Sequence, residues 1–84
     1  MKPQHFKRLD VRKLLARGGN PFTVIRASVD ALRTDEGLIV VSPFLPSPLI
    51  EKLGGEGFAS RVEPQSDGSW VTYFWREAAD EANS

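Results

Sequence analysis

The spacing of apolar residues predicts four strands along the chain. Residues 6–11 and 58–63 alternate apolar with polar side chains, as a strand with one buried face does. Residues 38–41 are continuously apolar, which is typical of a central strand covered on at least part of both faces. Residues 70–76 follow a turn that contains an Asp-Gly dipeptide, so they are predicted to pair with 58–63 as an antiparallel hairpin.

Capping signals predict two helices between these strands. Asn20 is a favoured N-cap and Pro21 fits the first helical position. An apolar stripe follows and the helix is predicted to end near Arg33; the stripe is Phe22, Ile25, Val29 and Leu32. Ser47 and Pro48 repeat the signal before a shorter helix, which two glycines end. Residues 13–17 begin like a helical turn, and two further glycines stop it.

The predicted order is β-α-β-α-β-β in one domain spanning residues 1–84. Right-handed crossovers place both helices on the same side of a four-stranded mixed sheet. The fold class is therefore α/β (α+β), a two-layer sandwich with two helices on one face. We expect the ordered core to span about residues 6–76. Residues 1–5 and 77–84 are expected to be flexible, the latter as a fraying tail or a short helical extension.

The other face of this sheet is predicted to carry no helix. We assign Val71, Tyr73 and Trp75 to the core because that set has no polar member. The last strand then places three residues on the open face: Trp70, Thr72 and Phe74. Such a surface suits a partner, a dimer interface or a base-stacking platform. The alternative is that neighbouring side chains and the tail cover it.

Composition excludes several kinds of chemistry. The chain has no cysteine, so disulfides, thiolate nucleophiles and persulfide carriage are excluded. Its one histidine, His5, lies near the N-terminus, which makes a metal site or a Ser-His-Asp triad an unattractive interpretation. We expect no cofactor, no metal and no enzymatic activity. The chain carries no signal-like leader and no long apolar run, so we expect a cytoplasmic protein that does not bind membranes.

The charges are unevenly distributed although the net charge is zero. Residues 1–33 carry eight basic and two acidic side chains, whereas residues 34–84 carry three basic and nine acidic ones. Such a distribution can mark an anion-binding face. We favour the simpler interpretation that the two halves interleave in one small sheet and cancel locally.

One corner of the predicted fold combines features of an anion site. A strand end, a glycine turn and a helix start follow one another, so free N–H groups and arginines lie close in sequence. The candidate ligand-binding residues are Asp10, Arg12, Arg17, Gly18, Gly19, Asn20 and Pro21. The alternative is that the glycines form only a turn and Asp10 pairs with Arg12 or Arg17. The corner lacks the spacing of a phosphate-binding P-loop.

The pattern resembles the TusA-like (SirA-like) sulfur-carrier superfamily over about residues 9–76. The resemblance includes Leu9-Asp10, Asn20-Pro21, Asp35-Glu36-Gly37 and Asp67-Gly68. In the carriers a Cys-Pro-x-Pro motif begins the helix. Matching its second proline to Pro21 places the carrier cysteine at Gly18 and the first proline at Gly19, so the resemblance does not imply sulfur transfer.

A cysteine-free branch of that superfamily, a domain of unknown function, is more similar. Its members show Asp-Val-Arg, here Asp10-Val11-Arg12, and a Pro-x-Pro-Leu loop, here Pro46-Ser47-Pro48-Leu49. They can occur beside hemerythrin-like or redox-related domains. Asn20 stands where the branch has histidine, and Ser42-Pro43-Phe44 stands where it is often polar. The resemblance thus implies the fold and says little about function.

Three functions compete on this basis. The leading hypothesis is a small, non-catalytic module of bacterial type that binds a protein partner or a small anionic ligand at the corner, as a monomer or weak homodimer. RNA binding is the second, against which the zero net charge argues. The third is an accessory role in a sulfur relay or redox pathway through a partner's cysteine.

Overall fold

The computed structural model describes residues 5–76, which form four strands and three helices. In chain order these are β1 (His5–Asp10), α1 (Arg12–Ala16), α2 (Pro21–Asp30), β2 (Glu36–Ser42), α3 (Ser47–Gly54), β3 (Phe58–Pro64) and β4 (Trp70–Arg76). The predicted α+β class is confirmed. The helix α1 is an addition, because the turn expected after residue 12 completes five helical residues before the glycines. His5, expected to belong to the flexible residues 1–5, is the first residue of β1. The expectations for residues 1–4 and 77–84 lie outside the described residues.

The sheet has the strand order β1-β2-β4-β3. β1 runs parallel to β2, and β4 is antiparallel to both β2 and β3. The predicted hairpin is therefore confirmed, with β4 inserted beside β2. β2 lies in the interior of the sheet, which explains its continuous apolar run.

The core lies between the helices and one face of the sheet. α2 contributes Ile25 and Val29, α3 contributes Leu49 and Leu53, and all four are buried. They form one cluster with buried residues of three strands: Leu38, Val40, Phe58 and Phe74. This helix-packed side is called the covered face below, and the opposite side the open face.

The two alternating sets of side chains on β4 face the opposite sides of the sheet from those expected. Thr72 and Phe74 are 0% exposed, and Trp70 is partly buried, so the expectation that these residues form an open surface is wrong. The register explains this, because Val40 pairs with Thr72 and Leu38 with Phe74, on the side where the helices pack. The open face instead carries Val71, Tyr73 and Trp75, all partly buried.

Ion pairs join the basic and acidic halves of the chain. Arg26 Nη2 lies 2.8 Å from Glu56 Oε1, and Arg12 Nη1 lies 3.4 Å from Asp67 Oδ2. Lys7 Nζ lies 3.7 Å from a carboxylate oxygen of Glu36. The interpretation that the two halves interleave and cancel locally is confirmed at these three places.

Candidate functional site

The first part of the predicted corner is an ion pair rather than an open anion site. Arg12 Nη2 donates to Asp10 Oδ2 at 2.7 Å, and its Nε and backbone N–H each donate to Oδ1 at 3.0 Å. The alternative pairing of Asp10 with Arg12 is thus confirmed. Hydrogen bonds from the Arg12 side chain lower the pKa of Asp10 to about 2, against the opposing effect of burial. The same guanidinium reaches Asp67 in the β3–β4 turn. We call these three residues the latch.

The second part of the corner lies at the start of α2. Gly18 has a φ of +78°, which a residue with a side chain rarely adopts. The Asn20 side-chain oxygen accepts from the backbone N–H of Phe22 at 3.0 Å, and Pro21 follows as the first helical residue. The predicted cap is confirmed, and it occupies one of the N–H groups that an anion would need.

The predicted corner residues are therefore divided between two places. Within residues 5–76 no hydrogen bond or ion pair joins Arg12 or Arg17 to the segment 18–21. Gly19 does pack closely on α1, because a Cβ at that position would come within 2.3 Å of the Leu14 side chain. The geometry favours a tight turn between α1 and α2 over a cradle for an anion.

A hollow of about 230 Å³ opens beside this turn, at the carboxyl ends of β1 and β2. Ligand sites of open α/β sheets often lie at this end of the strands. The hollow, called the apolar pocket below, is lined by Val11, Leu15, Pro21, Phe22, Ile25, Val40, Ser42, Phe44, Pro46, Pro48 and Leu49.

The apolar pocket offers almost no hydrogen-bonding capacity. Ser42 is its one side chain with a polar atom, and that hydroxyl donates to the carbonyl of Phe44 at 2.6 Å. Among residues 5–76, no charged side chain lines the pocket. Its walls can therefore hold an apolar group and supply neither acid–base chemistry nor a charge for an anion.

The rim of the apolar pocket consists of exposed aromatic residues. Phe22 is 51% exposed and Phe44 is 50% exposed, while the adjacent Leu45 is 39% exposed. Phe22 belongs to the predicted apolar stripe of α2, but its ring lies in the first helical turn and remains half outside the core. These are three of the four large hydrophobic side chains that are exposed in the described part of the chain.

Local sequence holds both walls of the pocket in place. Asn20 and Pro21 set the start of α2, and the burial of Ile25 and Val29 fixes which side of that helix faces the sheet. On the other wall, the Ser42 hydrogen bond folds the loop after β2, and prolines restrict its backbone before α3. The pocket is consequently formed before anything enters it.

A second, shallower hollow of about 370 Å³ continues the apolar pocket between α2 and α3. The two share Phe22, Ile25 and Leu49. Its outer edge carries Arg26 and Lys52, and Arg26 also contacts both Asp30 and Glu56. Together the two hollows form a groove with an apolar floor and one charged edge.

Sequence reasoning missed this pocket because its lining residues come from three separate stretches of the chain, 11–15, 21–25 and 40–49. The sequence pattern predicts a helical turn around Leu15 and a loop that contains Phe44 and Pro46. A signal was available in residues 43–46, where two prolines enclose Phe44 and Leu45. Two large apolar side chains in a loop of this kind are more exposed than the same residues in a strand, and they indicate a contact surface.

The strands and helices of residues 5–76 form a small α+β domain compatible with a two-layer sandwich, and no catalytic constellation in that range lies on the walls of the pocket. Residues 8–76 match the family described as "Uncharacterized conserved protein (DUF2249)", and the chain belongs to that family. No curated protein and no solved structure matches the chain.

Residues 5–76 contain neither a membrane-spanning helix nor a metal-binding cluster. No helix there is both long and apolar enough to cross a membrane. No group of three or more histidine, aspartate or glutamate side chains in that range is arranged to hold a metal ion.

Proposed function

We propose that this domain is a non-catalytic docking module that binds a protein partner by taking one of its apolar side chains into the apolar pocket. The observation that carries the proposal is the combination of a pocket without free polar groups and a rim of half-exposed phenylalanines. The resemblance to TusA-like proteins implies a scaffold on which Gly18 stands at the position of the reactive cysteine. On that scaffold the domain would bind a partner without transferring sulfur.

The pocket selects against charged and polar ligands. A polar group placed there would lose its water without gaining a hydrogen bond, which costs about 1–3 kcal/mol or more. An anion would meet Val11, Leu15 and Ile25 instead of an arginine. The small anionic ligand considered from the sequence is therefore the weaker of the two leading occupants.

The exposed rim of the pocket favours a protein over a free small molecule. A small molecule inside the pocket would leave the outer faces of Phe22 and Phe44 in water. A protein surface covers them as well, and because each ring is already about half buried, covering the rest contributes about 1 kcal/mol per ring.

The test is a peptide selection with matched variants of the domain. A phage library of random twelve-residue peptides is selected on the wild-type domain, and binding of the enriched peptides is measured by fluorescence anisotropy. We expect enriched peptides to share one large apolar residue. Phe44→Asp should weaken their binding at least about tenfold, since it removes a rim ring and places a charge at an apolar contact.

The control is Val62→Asp on β3, because Val62 is also an exposed hydrophobic residue (37%) but does not line the pocket. Far-ultraviolet circular dichroism verifies that both variants fold. Peptides without an apolar anchor, or equal binding by the Phe44→Asp and wild-type domains, would show the proposal to be wrong.

A further inference from the structure

The open face carries an aromatic cluster that the register of the sheet assembles. Phe6 of β1 pairs with Gly37 of β2, and β2 lies next to β4. A Cβ at Gly37 would lie 2.5 Å from a Phe6 ring carbon. The Phe6 ring therefore occupies the space that a side chain on β2 would otherwise fill, and it reaches across to the aromatic residues of β4.

The Phe6 ring is nearly perpendicular to the rings of Tyr73 and Trp75. The centroid of Phe6 is 5.6 Å from that of Tyr73 with an interplanar angle of 89°, and 6.5 Å from that of Trp75 with an angle of 81°. A hollow of about 240 Å³ opens beside them, lined by Phe6, Arg61, Glu63, Tyr73 and Trp75. We call it the aromatic hollow; it shares no lining residue with the apolar pocket.

The two charged residues of the aromatic hollow are only loosely engaged. Arg61 Nη2 lies 3.4 Å from Glu63 Oε2, and the Tyr73 hydroxyl donates to Glu63 Oε1 at 3.4 Å. Both distances are longer than the usual range for a hydrogen bond. The side chains of Arg61 and Glu63 are 64% and 40% exposed. A ligand can therefore use the guanidinium as a donor and the carboxylate as an acceptor at low cost.

We propose that the aromatic hollow binds a purine base, and guanine in preference to adenine. The rings provide the stacking surface, since every base has an aromatic face. An ionised Glu63 carboxylate accepts hydrogen bonds and donates none. Guanine presents two adjacent donors to it, N1–H and the N2 amino group. Arg61 can only donate, and guanine presents the acceptors O6 and N7. Adenine offers an acceptor, N1, where guanine offers a donor, so its fit to Glu63 is poorer.

Charge argues against the other ligands that such a hollow could take. An alkylammonium cation prefers aromatic faces, but here it would meet the guanidinium of Arg61. A purely apolar side chain would remove water from Arg61 and Glu63 without replacing their hydrogen bonds. A neutral base with donors and acceptors on its edges satisfies both residues. The chain's zero net charge agrees with recognition of a base and not of a long polyphosphate backbone.

The experiment uses Trp70→Phe protein, in which Trp75 is the only one of the chain's two tryptophans that remains. Trp75 fluorescence is titrated with guanosine monophosphate, adenosine monophosphate, choline chloride and a six-nucleotide single-stranded RNA that contains guanine. We expect quenching by the guanine ligands at concentrations at least about tenfold lower than by adenosine monophosphate. If the RNA binds about tenfold more tightly than guanosine monophosphate and this difference disappears at high salt, RNA is the source of the base. If the two bind with equal affinity, the ligand is a free nucleotide.

Two variants test the assigned roles by amide chemical-shift titration with guanosine monophosphate. Glu63→Gln should abolish most of the preference for guanine, and Arg61→Ala should weaken the binding of guanine. The matched control is Glu51→Gln on the exposed side of α3, which should bind like wild type. Equal affinity for guanine and adenine, no effect of Glu63→Gln, stronger binding of choline, or dimerisation through the open face in sedimentation experiments would each overturn the proposal.

Discussion

The two faces of the sheet differ in kind although they are built from the same strands. On the covered face Leu38, Val40 and Phe74 are at most 1% exposed, and the helices exclude water from them. On the open face Tyr73 and Trp75 are only partly buried, and charged side chains lie beside them. One strand, β4, supplies residues to both faces by strict alternation. Residues that stabilise the fold and residues that are available for binding are therefore neighbours in sequence, and they can be changed separately.

The largest difference between the faces is expected on truncating neighbouring aromatic residues. Phe74→Ala should lower the free energy of unfolding by about 3–5 kcal/mol, since it leaves a cavity in the covered face. Trp75→Ala should cost about 1 kcal/mol, because its ring is already in contact with water. Urea denaturation followed by circular dichroism measures both values. Similar losses for the two variants would contradict the separation of the faces. If Phe74→Ala does not fold, Phe74→Leu should show a smaller loss of the same sign.

The next largest loss of stability is expected at Gly37, over which the Phe6 ring lies. Gly37→Ala should lower the free energy of unfolding by about 1–3 kcal/mol, because the new methyl group would lie 2.5 Å from the Phe6 ring and 2.7 Å from the Phe74 carbonyl oxygen. The control is Gly54→Ala at the end of α3, where an added Cβ meets nothing within 4 Å. That change should be neutral or slightly stabilising. Thermal melts compare the two, and an unaffected Gly37→Ala protein would mean that Phe6 does not need this space.

A smaller effect of opposite sign is expected on the covered face. The Thr72 hydroxyl oxygen is buried and has no hydrogen-bond partner among residues 5–76. Thr72→Val replaces it with a methyl group of similar shape and should raise the free energy of unfolding by about 1 kcal/mol. Urea denaturation tests this, with Thr72→Ala as the comparison, which should be destabilising. Loss of stability in the valine variant would show that the hydroxyl makes a favourable interaction.

The smallest effect is expected at the latch. The pKa of Asp10 is about 2 in the folded protein and has an ordinary value of 3.8, so the carboxylate stabilises the fold above pH 4. This contribution is lost as the pH falls from about 4 to about 2, where the unfolded chain takes up the proton first. Because the pair is partly exposed, we expect Asp10→Asn to cost at most about 1 kcal/mol at pH 7. Denaturation curves at pH 7 and pH 2 should differ less in this variant than in wild type; an unchanged pH dependence would contradict the role of the latch.

The elements of the fold were predictable because their signals are local. Asn20 and Pro21 form the cap that their types predict, and the Asp67-Gly68 turn joins an antiparallel hairpin. The parallel pair of β1 and β2 was predictable from two local features, the apolar run of β2 and the helix between the two strands. The helix α1 is the exception, since five residues before a glycine pair are too few to give a periodic pattern.

The orientation of β4 was not predictable from its own residues. Both of its alternating sets contain aromatic side chains, and the deciding information lies in the partner strand β3. There Arg61 and Glu63 are charged, and they pair with Tyr73 and Val71. Residues paired across a hairpin share a face, so the charges on β3 identify the open side once the register is known. The register depends on the length of the turn between β3 and β4, and the sequence does not fix the residue at which β3 ends and the turn begins.

The candidate site was predictable only in part, for the same reason. The arginine and glycine residues of the corner were found, but the direction of the Arg12 side chain is set by Asp10 and by the distant Asp67. The pocket depends on where the sheet ends relative to α2, which decides that Phe22 protrudes while Ile25 is buried. The direction of the Arg12 side chain and the exposure of Phe22 both depend on packing between distant segments. Such packing produces no periodic pattern in the sequence.

The ion pairs that connect the two halves of the chain also concern the unfolded state. A chain with a basic first block and an acidic second block attracts itself before any native contact forms, so its unfolded ensemble is more compact than that of a chain with evenly mixed charges. In the folded protein, three ion pairs join the two blocks: Lys7–Glu36, Arg12–Asp67 and Arg26–Glu56. At 0.1 M, dissolved salt screens charges that are more than about 10 Å apart. We therefore expect salt to weaken this attraction in the unfolded chain and to slow its early collapse.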